Sequence, residues 1–178
     1  GRGWTLGPDQ GPWTLRIRMP VYRLPASPVF PDPSQAEGDG LLAVGGDLAP
    51  GRLLEAYACG IFPWFNEGDP VLWWSPPQRA LWLPGDFRPS PNLRRNLRRA
   101  GYEIRVDSAF AAVMVGCARA PRQGQPGTWI SDGFIASYTE LHRRGYAHSF
   151  EAWRGGSLVG GLYGVSLGAA FFGESMFS

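Results

Sequence analysis

The sequence predicts an α+β protein, and three observations lead to that class. The middle of the chain has helix start and stop signals around residues 90–100, 107–118 and 131–144. The last part, from Ala147 onwards, consists of β-rich runs joined by short glycine turns. The first part is rich in proline and glycine and holds only short elements. Helices followed by a run of strands favour an α+β fold over an alternating α/β one.

The composition is that of one globular domain with at most a small N-terminal appendage: 178 residues, of which 44% are hydrophobic. The net charge is +2, and all 17 basic residues are arginine. Cys59 and Cys117 lie far apart without a C-x-x-C spacing, so we expect no disulfide framework, no zinc site and no cofactor. There is no signal-peptide core and no apolar run of roughly 18 residues, so we expect a cytoplasmic protein without a membrane span.

Three regions are expected along the chain. Residues 1–18 lack periodicity and precede a methionine, so we interpret them as a disordered leader. Residues 19–84 form a small N-terminal domain that starts with a proline-punctuated extended segment up to Gly40. In that domain Asp47 is placed to cap a helix from about Pro50 to Cys59. Residues 85–178 form the second domain.

Two aromatic loops follow the first predicted helix, at Gly60–Phe65 and Trp73–Pro76. Large aromatic side chains next to proline either seal a core or offer stacking surfaces to a ligand, and the composition leaves both alternatives open. A strand is predicted from Arg79 to Pro84.

A basic helix is predicted between Ser90, its cap, and Gly101, which follows its end. We expect Leu93 and Leu97 to face inward. Four arginines form two like-charged i,i+4 pairs, each of which costs roughly 0.2–0.5 kcal/mol. This repulsion favours a surface built for a polyanion, although a solvated basic face remains the alternative. The four residues are Arg94, Arg95, Arg98 and Arg99.

The remaining chain is predicted to form a strand and a helix capped by Asp107, a basic loop, a third helix closed by Gly145, and a three-stranded meander. His142 and His148 have no acidic or thiolate company in sequence, so we assign them structural roles. No G-x-S-x-G, G-x-G-x-x-G or Walker A motif is present, which argues against a serine hydrolase and the common nucleotide-binding loops.

Glu174 is a single carboxylate in the aromatic last strand, Ala169–Ser178. Strict alternation would place it on one face with Phe172 and Met176, whereas a bulge at Gly173 would turn Glu174 and Phe171 towards the same pocket. A solvated edge is one interpretation of this carboxylate. An apolar pocket for a ligand that is partly cationic is the other.

Six blocks of this chain resemble the signature of the leucyl/phenylalanyl-tRNA-protein transferase family, in family order from about Phe30 to Ser178. The resemblance implies a transferase that moves leucine or phenylalanine, and methionine less readily, from aminoacyl-tRNA to proteins with N-terminal arginine or lysine in the N-degron pathway. It also implies a GNAT-like acyltransferase domain. We further expect no metal site and a monomer. The blocks are GLLAVGGDL from Gly40, GIFPWF from Gly60, LWWSP from Leu72, GTWI from Gly127, HS at His148 and FGESMFS from Phe172.

The resemblance also implies roles for individual residues. Glu174 would hold the cationic N-terminus of the acceptor, and the arginines of the basic helix would grip tRNA phosphates. Tyr57, Trp64, Trp129 and Tyr138 would line the acceptor and tRNA-end region. The apolar pocket for the transferred side chain would consist of Leu162, Phe171 and Met176.

One departure from the family concerns the C-terminal side. Members of the family continue past the FGESMFS block with more of the sheet, including an aspartate and a glutamine implicated in activating the amine. We therefore expect an incomplete GNAT-like domain, truncated after Ser178. Two alternatives to an active transferase stay open: a catalytically incomplete fragment that retains tRNA binding, and a CoA-dependent N-acyltransferase.

Overall fold

The computed structural model describes residues 21–121 and 128–178, which form two four-stranded sheets and four α-helices. The predicted α+β class is confirmed. The leader predicted over residues 1–18, and most of the predicted basic loop, lie outside the described residues. The helices are α1 (Pro50–Ala58), α2 (Pro91–Ala100), α3 (Phe110–Arg119) and α4 (Asp132–Arg143).

The first sheet is built from short strands in the order β1-β2-β4-β3, with α1 between β2 and β3. Strand β1 runs parallel to β2, and the other neighbours are antiparallel. The segment predicted to be extended up to Gly40 contains little regular structure apart from β1 and a 3-10 turn at Pro33–Gln35. The strands are β1 (Tyr22–Arg23), β2 (Leu41–Val44), β3 (Phe62–Pro63) and β4 (Leu72–Trp74).

The second sheet is an antiparallel meander in the order β5-β6-β7-β8, which confirms the predicted C-terminal strands. Helices α3 and α4 pack against one side of it, which we call the inner face, and the opposite side is the outer face. Tyr163 and Val165 point to the inner face and are fully buried. The strands are β5 (Glu103–Val106), β6 (Ala147–Arg154), β7 (Ser157–Leu167) and β8 (Ala170–Phe177).

One hydrophobic core joins the two sheets. Leu53 of α1 and Trp73 of β4 belong to the same buried cluster as Phe134 of α4 and Tyr163 of β7. Helix α1 contacts both α4 and β7, so it links the first sheet to the second. Each fully buried large apolar side chain contributes about 1.5–3 kcal/mol, so this shared cluster fixes the position of α1 relative to β7.

Helix α2 begins and ends as the sequence predicts. The Ser90 Oγ accepts a hydrogen bond from the Leu93 N–H at 3.2 Å, and Gly101 follows with the left-handed φ of 65° that favours glycine. The prediction that Leu93 and Leu97 face inward was wrong, because these residues are 40% and 48% exposed. Helix α2 has no buried residue, since no described element covers its apolar stripe.

Three other local predictions were also wrong. The residues from Arg79 to Pro84 form no strand, because no described strand pairs with them, and Trp82 among them is 69% exposed. Asp47 is not the helix cap: the cap position is Ala49, whose N–H donates to the Asp47 carboxylate at 2.9 Å. Asp107 caps no helix either, because α3 starts after Ala109.

The Glu151 carboxylate of β6 binds the residues that lead into α3. It is only 1% exposed and accepts hydrogen bonds from the Ser108 Oγ at 2.6 Å and from the Ser149 Oγ at 2.5 Å. It also accepts from the backbone N–H groups of Ser108 and Ala109, both at 3.3 Å. A carboxylate from a neighbouring strand thus satisfies donors at the helix N-terminus, where negative charge is favourable.

We expect Glu151→Ala to lower the free energy of unfolding by about 2–4 kcal/mol, because it leaves several buried donors without an acceptor. Urea denaturation followed by tryptophan fluorescence measures this change. Glu55→Ala on the exposed side of α1 serves as the control and should stay within about 0.5 kcal/mol of the parent chain. Equal stabilities for the two variants would contradict this stabilising role of Glu151.

Candidate functional site

Glu174 lies at a β-bulge in strand β8. Tyr163 of β7 lies opposite Ser175, and Gly164 lies opposite Gly173, so Glu174 is the extra residue between two regular pairs. The sequence predicted this bulge as one of two options. Strict alternation was therefore wrong beyond Gly173: Ser175 shares the face of its partner Tyr163, which is the inner face.

The Glu174 carboxyl group lies among protein groups although the residue as a whole is only half-buried. Burial raises its pKa from 4.5 to about 7, while a hydrogen bond from Tyr57 and the charge of Arg79 oppose the rise. Desolvation disfavours the charged form of a carboxyl group, and here it outweighs both stabilising groups. Glu174 can therefore change its protonation state near neutral pH.

Two tyrosine hydroxyl groups meet beneath β8. The Tyr57 and Tyr138 hydroxyl oxygens are 2.6 Å apart, and the two residues are 2% and 0% exposed. Burial and the charge of Glu174 hold the pKa of each tyrosine well above its usual range. Both residues are therefore neutral hydrogen-bonding groups at physiological pH.

Arg79 is the cation whose charge acts on Glu174. Its guanidinium donates a hydrogen bond to the Gly60 carbonyl oxygen at 3.2 Å and lies 4.8 Å from the centre of the Phe62 ring. Sequence reasoning assigned Arg79 to a strand and gave it no role. Its place directly after the two aromatic loops was the available signal, because a cation beside aromatic faces is held in position.

The predicted apolar residues Leu162, Phe171 and Met176 share the outer face of the second sheet. Leu162 pairs with Met176 across the strands, and the Phe171 ring lies 5.8 Å from the Phe150 ring. Phe171 also covers Gly164, where an added Cβ would lie 2.6 Å from the ring. These three residues therefore share one face, whereas Glu174 reaches the tyrosines on the inner side. The prediction that the bulge turns Glu174 and Phe171 towards the same pocket was wrong.

The two predicted tryptophans lie at different places. The Trp129 ring makes an edge contact with Phe134 at 5.2 Å, and Phe134 in turn stacks on Tyr138 at 5.8 Å. Trp129 is therefore connected to the tyrosine pair through one ring. Trp64 is 41% exposed and packs against Trp74 of the first sheet, with ring centres 5.7 Å apart.

The four predicted arginines of α2 are exposed. Arg95 donates to the side chain of Asn92 at 2.8 Å. Within the described part of the chain, none of the four forms a salt bridge with a carboxylate. Their positive charge is therefore not neutralised by the residues that the structure describes. They are Arg94, Arg95, Arg98 and Arg99.

Each of the two histidines makes a polar contact through its Nδ1 atom. The His148 Nδ1 lies 2.8 Å from the Asp107 carboxylate, which also accepts from the Ser149 N–H at 2.8 Å. The His142 Nδ1 lies 2.8 Å from the Ala147 carbonyl oxygen, and its ring stacks on Phe110. Across residues 21–121 and 128–178, no group of three or more candidate side chains is placed to hold a metal ion.

An open groove of about 460 Å³ lies between α3 and strands β7 and β8, and Glu174 does not line it. Its walls include Val115, Gly116 and Phe177, with Arg119 as a charged residue that also lines it.

None of the helices in the described ranges has the length and apolar character for crossing a membrane.

Comparisons with known proteins agree on one family. Residues 81–178 match the family described as "Leucyl/phenylalanyl-tRNA protein transferase", and residues 46–77 match its N-terminal domain. A leucyl/phenylalanyl-tRNA--protein transferase from Anaeromyxobacter sp. (strain K) is 59% identical over 160 residues, which are 90% of this chain and 69% of that protein.

Two further relatives with the same name show similar agreement. The one from Desulfatibacillum aliphaticivorans is 54% identical over 159 residues, covering 89% of this chain and 68% of the relative. The one from Myxococcus xanthus (strain DK1622) is 53% identical over 162 residues, covering 90% and 69%. This chain therefore belongs to the leucyl/phenylalanyl-tRNA protein transferase family of enzymes.

Proposed function

We propose that this chain transfers leucine or phenylalanine, and methionine less readily, from aminoacyl-tRNA to the N-terminal arginine or lysine of acceptor proteins. In this proposal it acts as a monomer in the cytoplasm, within the N-degron pathway, on a GNAT-like domain. Membership of the family supports aminoacyl transfer from tRNA to protein. The observation that carries the proposal within the structure is a desolvated carboxylate, Glu174, at a bulge in the strand that also bears Phe171 and Met176.

The reaction needs a positioned amine more than a strong catalyst. The α-amine of the acceptor attacks the carbonyl carbon of the aminoacyl ester, an amide bond forms, and the ribose oxygen of the tRNA leaves with a proton. The ester is already activated, and an α-amine has a pKa of about 7.7–8.0. Alignment of two such groups contributes up to about 7–11 kcal/mol to lowering the barrier.

The pKa of Glu174 suits this residue to accept the proton that the amine must lose. Its pKa of about 7 lies within about one unit of that of an α-ammonium group, so proton transfer to the carboxylate is nearly balanced. A solvated glutamate, with its pKa of about 4.3, would make the same transfer unfavourable by more than three units. The carboxylate also attracts the ammonium before the proton moves.

The outer face offers a seat for the transferred side chain. Phe171 and Met176 are 45% and 69% exposed, and they lie on the same strand as Glu174. An aminoacyl group at the edge of β8 would place its apolar side chain against them and its carbonyl carbon near the bulge. Selection by shape gives only roughly 1–3 kcal/mol per methylene, so it should be leaky, as tolerance of methionine requires.

The aromatic residues have different roles in this proposal. Tyr57 and Tyr138 are buried, so they act on Glu174 from below and do not stack on the tRNA end. Trp64 is exposed and is available for stacking, and Trp129 supports Tyr138 through Phe134.

We expect Glu174→Gln to reduce the transfer of phenylalanine from Phe-tRNA to an Arg-initiated peptide by about 10²–10⁴-fold, the usual contribution of a general base. In the parent chain the rate should rise with pH through about 7, because the base is the ionised form. Radiolabel transfer measured between pH 5.5 and 8.5 tests both statements. Glu67→Gln in an exposed loop is the matched control, and equal rates for the two variants would contradict the assignment.

We expect the double substitution Arg94→Ala and Arg98→Ala to weaken tRNA binding and to reduce its salt dependence. Each lost phosphate contact should lower the slope of log K against log salt by about one. Fluorescence anisotropy with labelled tRNA at several salt concentrations measures this slope. Arg143→Ala with Arg144→Ala is the control, because those arginines pair with Glu140 on α4. The same slope for both double variants would argue against a tRNA surface on α2.

Two other outcomes would favour the alternative functions. Retained tRNA binding without transfer by the parent chain would favour a fragment that only binds RNA, a reading supported by the exposed arginines of α2. Protection of the chain by acetyl-CoA against thermal unfolding would favour a CoA-dependent N-acyltransferase on the same fold.

A further inference from the structure

Two hydroxyl groups connect the N-terminal part of the chain to the Glu174 carboxylate. Tyr57 lies on α1, in the range matched by the family's N-terminal domain, and Glu174 lies in the range matched by the transferase domain. The Tyr57 hydroxyl acts as a hydrogen-bond donor to Glu174 and lies 2.6 Å from the Tyr138 hydroxyl of α4. Three elements therefore meet at one chain of polar groups.

When Glu174 is ionised, it determines which hydroxyl group donates and which accepts in this chain of hydrogen bonds. A carboxylate only accepts hydrogen bonds, and a phenol has one hydrogen to donate. When Tyr57 donates its hydrogen to Glu174, the 2.6 Å contact requires Tyr138 to donate to Tyr57. Consecutive hydrogen bonds of this kind polarise one another, so Tyr138 strengthens the bond that Tyr57 makes.

Packing holds Tyr57 in this position. The residue is 2% exposed, and its ring lies 5.2 Å from the ring of Phe172, two residues before Glu174 in β8. Tyr138 is held in turn by stacking on Phe134. Rings fixed on both sides lose little further freedom when their hydroxyl groups bind, which makes them suited to orient another side chain.

We propose that Tyr57, supported by Tyr138, is a positioning residue that orients the Glu174 carboxylate towards the acceptor amine, so that the N-terminal domain takes part in transfer through this hydroxyl. This inference rests on the proposed function, because it assigns Glu174 the role of meeting the amine. Tyr57 does not touch the reacting atoms and acts only through Glu174.

The groups that act on Glu174 come from three parts of the structure. Tyr57 of α1 and Tyr138 of α4 approach it from the inner face, and the Arg79 charge acts from the loop after β4. Tyr163 of β7 acts on Tyr138. Arg79 is exposed and bound to the Gly60 carbonyl oxygen, so it supplies charge without a fixed direction at the carboxylate. Orientation is left to the buried tyrosine pair.

The test titrates Glu174 directly in the 178-residue chain. Glutamate labelled with ¹³C at the carboxyl carbon gives an NMR signal for Glu174, which Glu174→Gln assigns by removing it. We expect Tyr57→Phe to raise the midpoint by about one to two pH units, because it removes a donor to the charged form. Tyr138→Phe should raise it less. Tyr146→Phe, at an exposed tyrosine, is the matched control and should leave it unchanged.

The transfer rate provides a second readout. An upward shift of one unit from a midpoint near 7 leaves about a tenth of Glu174 ionised at pH 7, so Tyr57→Phe should lower the rate roughly fivefold there. The ratio of variant to parent rates should return towards one above pH 9. A merely structural defect would lower the rate at every pH, and that outcome would overturn the positioning role.

The two readouts separate the inference from the function on which it rests. An unchanged Glu174 midpoint in Tyr57→Phe would overturn the inference whether or not the chain is active. A shifted midpoint with full transfer by Glu174→Gln would show that the hydroxyl holds the carboxylate but that the carboxylate does not serve transfer, which also overturns it. A shifted midpoint, a pH-dependent rate and an inactive Glu174→Gln together support it.

Discussion

The withdrawal of one carboxyl group from water is the constraint on which the site depends. Glu174 would be an ordinary surface acid if β8 were a regular edge strand. The bulge turns it towards Tyr57, and burial raises its pKa to about 7. Two opposing effects set that value: loss of hydration raises it, and a phenol together with a nearby guanidinium lowers it by a smaller amount. Small changes in packing around the carboxyl group therefore change its charge.

Packing between the two sheets makes that constraint possible. Helix α1 lies between two strands of the first sheet in sequence. Its residues Leu53 and Tyr57 are nevertheless buried in the cluster that also contains Tyr163 of the second sheet. If α1 moved away, water would reach the carboxylate and the desolvation would be lost. The shared core therefore has a chemical as well as a mechanical role, because it keeps the solvent away from an acid on the neighbouring sheet.

Local signals in the sequence were sufficient to predict most helices and strands. They were not sufficient to predict which distant residues contact one another. The limits of α2 follow from Ser90 and Gly101, whose effects act within one helical turn. Asp107 carried the same kind of signal, but it caps no helix. The carboxylate of Glu151, 44 residues later in sequence, accepts from the N–H groups before α3 instead. The bulge was predictable from Gly173. The approach of Tyr57 to Glu174 was not, because it depends on how two sheets pack.

The bulge in β8 has one more consequence, for contacts between molecules. In the described part of the chain β8 lies at the border of its sheet, where unpaired backbone groups can recruit a strand from another copy. An extra residue interrupts the regular spacing that such recruitment needs and increases the local twist. The distortion that brings an acid into an apolar setting thus also makes the border of the sheet less regular, and a chain with a straightened β8 would lose both properties together.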